Sequence, residues 1–408
     1  MKPSVEPADR ASIRRSNLGL ILHRLADHGG RSRTTLAEEL GLPRATISSL
    51  TGELVELGLV REGELEHAGA VGRPQRTVEL DGTAYCGLGI EIAVDHLYAV
   101  ALDLRGTVAW TSRLALDARG MPPTATLEVV GRLAAEAIAT LGSAGKNVVG
   151  ITVATPGGYD EAGDRVTIAT NLDWRDVPLL GPIASQLGAT APPLHVGNDA
   201  KLGAVAEYSA AAARGIRDMV YLSGTVGVGA GIIEDGRLMR TAGEIGHLAL
   251  GPQAQPCACG RSGCWENMVG LDALLGQAAD PSDPVRDPSL DLADRLAELR
   301  RRAENGDTRT NDALTRVADA LVLGTAVLVD LLGPESVVLG GYFAYFGDIF
   351  APHVQAGIDA RRIPSTPRSI ITTSTYGLAS AARGGARVAL EKDLYDDPAS
   401  IATRLFRA

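Results

Sequence analysis

The chain has 408 residues, 45% hydrophobic and 22% charged, with a polar, charged stretch from Met1 to Arg15 and no apolar run long enough to cross a bilayer. That composition argues against a membrane span or a secretory leader, and predicts a cytoplasmic protein of two or three domains with an aliphatic core, aromatics being only 4%. The net charge of −10 is unevenly placed: residues 1–80 carry 11 Lys+Arg and 11 Asp+Glu, the remainder 28 and 38, so any contact with DNA falls to the neutral N-terminal segment.

Ile13 to His28 reads as a helix with Leu18, Ile21, Leu22 and Leu25 on one face, ended by Gly29-Gly30. Ser32 to Leu40 reads as a short capped helix and Gly41 as a sharp turn. Pro43 is expected to open a second helix, where its missing N–H does no harm, and that helix runs to Leu57. Leu36 and Ala37 face inward, and Ile47, Leu50 and Leu54 pack the second helix. This is a helix-turn-helix pattern, although a plain helical hairpin has the same local signs. Arg44, Thr46, Ser48 and Ser49 are the exposed side chains suited to a major groove, with Arg33 on the preceding helix. Leu59–Glu62 and Thr77–Leu80 alternate like a hairpin around Gly72-Arg73-Pro74, whose Arg73 suits a minor groove, or which is an ordinary solvated turn. Helices followed by a hairpin predict a winged helix-turn-helix over residues 1–82.

From Ala84 the texture becomes α/β. Strands are expected at Cys86–Ile92, Leu97–Leu104 and Val108–Leu116, then a helix at Thr126–Leu141 and a strand at Asn147–Ala154. A second lobe is expected to begin near Leu194, with a helix from Lys201 to Ala213, strands at Met219–Ser223 and Val228–Ile233, an apolar helix at Leu314–Leu332 and a buried strand at Val337–Gly341. Residues 83–408 thus divide into lobes of about 83–193 and 194–375, with a small-residue helix within 376–392 packing back.

Three of the four cysteines, Cys257, Cys259 and Cys264, fall together, downstream of His247. One imidazole and three thiolates make a closed tetrahedral set suited to structural Zn2+, with no open position for a catalytic water. Cys86 is expected to be an inert core thiol.

The chain resembles the ROK family (repressors, open reading frames, kinases) from about Ala11 to Leu390. The resemblance rests on Gly243-Glu244-Ile245-Gly246-His247, on Cys257-Ala258-Cys259-Gly260-Arg261-Ser262-Gly263-Cys264-Trp265-Glu266, and on Asn198-Asp199-Ala200. It implies a two-lobed actin-like ATPase fold, that of a sugar kinase, behind the winged helix. It also implies sugar contacts from Asn198, Asp199, Glu244, His247 and Glu266, and from Asn171 in a loop like the family's sugar-domain loop.

Family kinases carry an Asp followed by Gly-Gly-Thr after the first strand. Here Glu91, Ala93, Val94 and Asp95 stand instead, putting side chains and a carboxylate where backbone must approach phosphate. Asp199 stands at the kinases' general base and is read as vestigial, a hydroxyl acceptor only. The expected function is therefore not enzymatic: a transcriptional regulator, a repressor of carbohydrate genes, binding double-stranded operator DNA as a homodimer or dimer of dimers and tuned by a small sugar. The alternatives are an active ATP-dependent sugar kinase with an appended DNA-binding domain, and a scaffold that recruits a protein partner.

Overall fold

In a computed structural model, residues 9–66, 75–162, 164–189, 191–240, 243–398 and 401 are described. Helix α1 (Arg10–His28) is capped by Asp9 and buries Leu18, Ile21, Leu22 and Leu25, the face the apolar spacing predicts. Strand β1 (Arg31–Ser32) leads into α2 (Arg33–Leu40), where Ser32 accepts the Thr35 N–H at 3.1 Å. Gly41 takes the left-handed conformation that the turn requires. Helix α3 (Arg44–Glu56) starts one residue later than expected: Pro43 is extended, and only its carbonyl joins the helix, accepting from Ile47 N at 3.0 Å. Strands β2 (Val60–Glu66) and β3 (Gln75–Leu80) form the wing, with β1 added to β3 in antiparallel register. Two-residue β1 carries no periodicity, so it had no signal in the sequence. Arg73, with the rest of residues 67–74, lies outside the described residues.

The first lobe holds a five-stranded sheet. Its strands are β4 (Tyr85–Ile92), β5 (His96–Asp103), β6 (Val108–Ala115), β7 (Asn147–Thr155) and β11 (Leu194–Asn198), in the order β11-β7-β4-β5-β6. Helix α4 (Pro123–Ser143) covers one face, and a small antiparallel sheet, β8 (Gly158–Asp160), β9 (Arg165–Ala169) and β10 (Trp174–Pro178), precedes α5 (Leu180–Leu187). The sheet corrects the expected lobe boundary. Leu194–Asn198 pairs in parallel with Ile151–Thr155, so it closes the first lobe rather than opening the second.

Helix α6 (Asp199–Ala212) leads into the second sheet, formed by β12 (Met219–Gly224), β13 (Val228–Glu234), β14 (Arg237–Leu238), β15 (Ser336–Gly341) and β16 (Ile370–Thr373). Around it lie α7 (Glu266–Val269), α8 (Leu271–Ala278), α9 (Leu292–Glu304), α10 (Thr308–Leu332), α11 (Tyr342–Tyr345) and α12 (Gly347–Arg361). Helix α13 (Ser380–Leu390) returns to β4, β7 and α6. Glycine permits that approach: a Cβ at Gly87 or Gly89 would strike the carbonyls of Ala386 and Ala382.

The winged helix is not a detached module. Its core residues Leu18, Leu22 and Leu25 belong to one buried apolar cluster with Val100 and Leu102 of β5, Leu390 of α13, and Leu394 and Tyr395 beyond it. Polar contacts reinforce the seam: Arg387–Asp27 at 2.6 Å, His23–Asp396 at 3.0 Å and Arg15–Asp397 at 3.2 Å. Among the described residues, no helix is long and apolar enough to cross a membrane.

Candidate functional site

Chain segments from both lobes end at one cleft. From the first lobe, β11 ends at Asn198, whose side-chain oxygen caps α6 by accepting from Lys201 N at 3.1 Å while its amide reaches Gly157 O at 3.4 Å. Asp199 follows as the first residue of α6, its carboxylate accepting from Ala200 N at 2.8 Å. Asn171 sits in a 3-10 turn between β9 and β10. From the second lobe, Glu244 caps and His247 ends a 3-10 turn, and Glu266 begins α7. All six line one cavity of about 310 Å³, together with Gly157, the β12–β13 turn and Arg261. Gly227 of that turn runs so close to Asn171 and Glu266 that a Cβ would displace both.

Burial pushes the Asp199 carboxyl up to about 6; the Ala200 N–H opposes this, and the charge of Glu244 adds to it. Arg261 was not singled out by spacing, because it lies among the cysteines and looks like loop filler. Arg119 carried no sequence signal at all. It reaches from the first lobe to the Asn171 carbonyl at 2.8 Å and to Asp272 of α8 at 3.4 Å, bracing the Asn171 loop against the second lobe.

Behind the cavity, one ligand atom each from His247, Cys257, Cys259 and Cys264 lies within 4.8 Å of the others. Gly260 and Gly263, both at positive φ, let the loop fold back on itself. Cys259 Sγ and Cys264 Sγ are 3.7 Å apart, and Cys257 Sγ is 3.8 Å from His247 Nδ1. A tetrahedral ion with metal–sulfur bonds of about 2.3 Å needs edges of about 3.8 Å, which these two distances match, and the four donors could hold a metal ion. Trp265 anchors the loop to α10, its Nε1 donating to Ala320 O at 2.8 Å. Glu266 joins cluster and cavity: its Oε1 is 2.9 Å from Cys257 Sγ and 3.3 Å from His247 Nδ1. The other ring nitrogen of His247 faces Glu244 at 3.8 Å. Cys86 is buried in β4, and burial pushes its thiol up to about 12, as suits an inert core group.

The turn between β4 and β5 is occupied by its own side chains. Asp95 is buried with one oxygen 2.9 Å from His96 Nδ1 and the other 2.6 Å from Arg295 Nη1, on α9 of the opposite lobe. Burial alone would raise the Asp95 carboxyl, but His96 and Arg295 outweigh it and hold it below its ordinary range. Glu91 is buried nearby, and burial pushes it up to about 7.

On the winged helix, Arg44, Ser48 and Ser49 are exposed and Thr46 is half-buried along the start of α3. Arg33 is turned to internal use, bonding Thr51 Oγ1 at 3.1 Å and Glu62 Oε1 at 3.2 Å.

Residues 87–392 match the model of the ROK family, and residues 19–70 that of the MarR family. The xylose repressor of Caldicellulosiruptor bescii is 28% identical over 359 residues, 86% of this chain and 88% of that protein. The DNA-binding transcriptional repressor Mlc of Escherichia coli is 25% identical over 402 residues, 95% of each chain. Among solved structures, a ROK family transcriptional regulator, a homologue of E. coli Mlc, superposes with a TM-score of 0.71 at 23% identity over 97% of this chain and 100% of that one. A ROK family glucokinase from Streptomyces griseus, in complex with glucose and AMPPNP, superposes with a TM-score of 0.62 at 25% identity, over 74% of this chain and 98% of that one.

Proposed function

Because the chain belongs to the ROK family, we propose that it is a sugar-responsive transcriptional repressor in which a kinase-derived cleft controls a winged helix on operator DNA. The observation that carries the reading is convergence: six polar side chains from two lobes line one cavity, while the DNA-binding helices share a core with the first of those lobes. Carboxylates and amides on opposed walls match a ring of hydroxyls, which both donate and accept. Arg44, Thr46, Ser48 and Ser49 are the side chains offered to the major groove, with Arg73 for the minor groove. Arg33 supports this face from behind through Thr51. The relatives named as repressors support the reading, and xylose is among the first sugars to test.

His247, Cys257, Cys259 and Cys264 would hold a structural Zn2+, which cross-links the loop that carries Glu244 and Glu266. With four protein donors the ion has no site left for water, so its contribution is rigidity. The protein is not a kinase in this reading. A nucleotide's phosphates need backbone N–H groups and a neutral or positive surface, whereas the Asp95 carboxylate stands in the β4–β5 turn, fixed by His96 and Arg295. Asp199 then only accepts a hydroxyl hydrogen. Sugar binding draws the lobes together, and a shift of about 1.4 kcal/mol between the free and liganded states changes operator affinity tenfold. A two-fold operator matches a homodimer or dimer of dimers, each chain offering one winged helix.

The test is a thermal-shift screen of the full chain against neutral sugars and ATP, repeated on Glu266→Gln. A shift with one neutral sugar, lost in the variant, and none with ATP is expected. A shift with ATP would restore the kinase reading, and silence toward every sugar would overturn the sensor.

A further inference from the structure

A second cavity, of about 200 Å³, lies where helix α1 of the winged helix meets the body. Its wall brings together Arg105 after β5 and Arg383 and Arg387 of α13, over an apolar floor that includes Leu104 and Leu390; no carboxylate is in the lining. Three arginines here run against the composition of a body with 28 basic and 38 acidic residues.

The arginines are not equally engaged. Arg387 is held by Glu391 at 2.8 Å, by Asp27 of α1 at 2.6 Å, and by Ser209. Arg383 sits over the Tyr376 ring, its Cζ 4.1 Å from the centroid, and spends one N–H on Gly106 O at 3.2 Å. The Arg105 guanidinium has no hydrogen bond or ion pair among the described residues. A guanidinium laid on an aromatic ring keeps its edge free, and that edge is the planar donor fork that matches a tetrahedral oxyanion. Asp27 and Glu391 already balance Arg387, so the charge left to draw an anion is that of Arg105 and Arg383.

We infer that this cavity between α1 and α13 is a second ligand site, which binds a small molecule bearing a phosphate group through Arg105, Arg383 and Arg387. The apolar floor gives room for a carbon skeleton beneath the anion, as in a phosphorylated sugar, though free phosphate shares the recognised group. The site is placed to be felt at the DNA. Its anion shares Arg387 with Asp27, so a bound phosphate competes with the ion pair that ties α1 to the body. Occupancy thus loosens the winged helix without touching the sugar cavity.

The experiment is titration calorimetry on the full chain at constant low ionic strength, with inorganic phosphate, a hexose 6-phosphate and the neutral hexose as injectants. An Asn198→Ala, Glu266→Gln background removes binding in the sugar cavity. At least one phosphate-bearing injectant is expected to bind, the neutral hexose not. Arg105→Gln and Arg383→Gln should each weaken that binding about tenfold. Asp27→Asn, which frees Arg387, should tighten it a few-fold. Preference for the hexose phosphate assigns the floor to a carbon skeleton; preference for inorganic phosphate makes the site one for the free ion. No heat with either phosphate, or heat unchanged by both arginine variants, overturns the site. Unchanged or weaker binding in Asp27→Asn overturns the competition with α1.

Discussion

Asp199 is a carboxylate in a place that resists its charge. Burial and the charge of Glu244 raise it to about 6, against backbone hydrogen bonds from Ala200 and from its own N–H. An acid raised on folding stabilises the protein below its unfolded pKa, and that contribution disappears as pH rises through the folded value. From about pH 4 to about pH 7 the group therefore moves from neutral to destabilising, by at most about 3 kcal/mol at 1.36 kcal/mol per unit. Asp199→Asn keeps an oxygen for the Ala200 N–H and removes the buried charge. The variant should unfold at higher denaturant than the parent at pH 8, with little difference at pH 4, while losing most of its sugar affinity. Urea melts at the two pH values, beside a sugar titration, decide it; a variant less stable than the parent at pH 8 would show that the charge is better solvated than its burial implies. Glu91, raised to about 7 by burial, titrates close by, so the parent's curve carries both groups and the difference from Asp199→Asn isolates one.

At the scale of elements, the loop from His247 to Glu266 is held by a compact donor set as well as by Trp265, which packs in the second-lobe core. Chelation of a structural ion from such a loop removes its cross-link and leaves three close thiols. Metal analysis should find one zinc per chain, and stripping it should lower the melting temperature and abolish sugar binding, because Glu244 and Glu266 ride on the same loop; sugar binding that survives complete stripping would separate cluster from cavity. This loop was also the most legible part of the sequence, since its ligands, its positive-φ glycines and Glu266 lie within a short span. The helix-turn-helix was legible for the same reason: caps, turn glycine and apolar spacing are local. What escaped is nonlocal. The place of β11 depends on pairing with β7, some forty residues earlier in the chain. Arg119 on Asn171 and Arg295 on Asp95 join residues 52 and 200 positions apart, and neither leaves a mark in composition or period. The small sheet of β8 to β10, which positions Asn171, alternates too briefly to stand out from loop.

Behind the winged helix stand two lobes whose relative position, in the proposed reading, must be both definite and adjustable. Among the described residues, three ion pairs cross between them: Arg295–Asp95 at 2.6 Å, Arg113–Asp291 at 2.6 Å and Arg119–Asp272 at 3.4 Å. They differ in kind. The second and third are partly exposed and contribute little each. The first is buried on both sides, and its worth lies in what happens when it is broken: one partner alone leaves an uncompensated charge, at about 3–5 kcal/mol. It stands in the β4–β5 turn, so the chain's own carboxylate ties the lobes together there, and in the proposed reading it occupies the place a nucleotide's phosphates would need. Asp95→Ala should therefore destabilise strongly, by about 10 °C in melting temperature, without creating ATP binding. Replacing both partners, Asp95→Leu with Arg295→Met, should recover most of that loss because no charge is stranded. Calorimetry on the single and double variants measures the coupling. Additive losses would mean that this pair contributes nothing to holding the lobes; a large coupling together with altered sugar affinity in the double variant would place it on the axis about which the cleft closes.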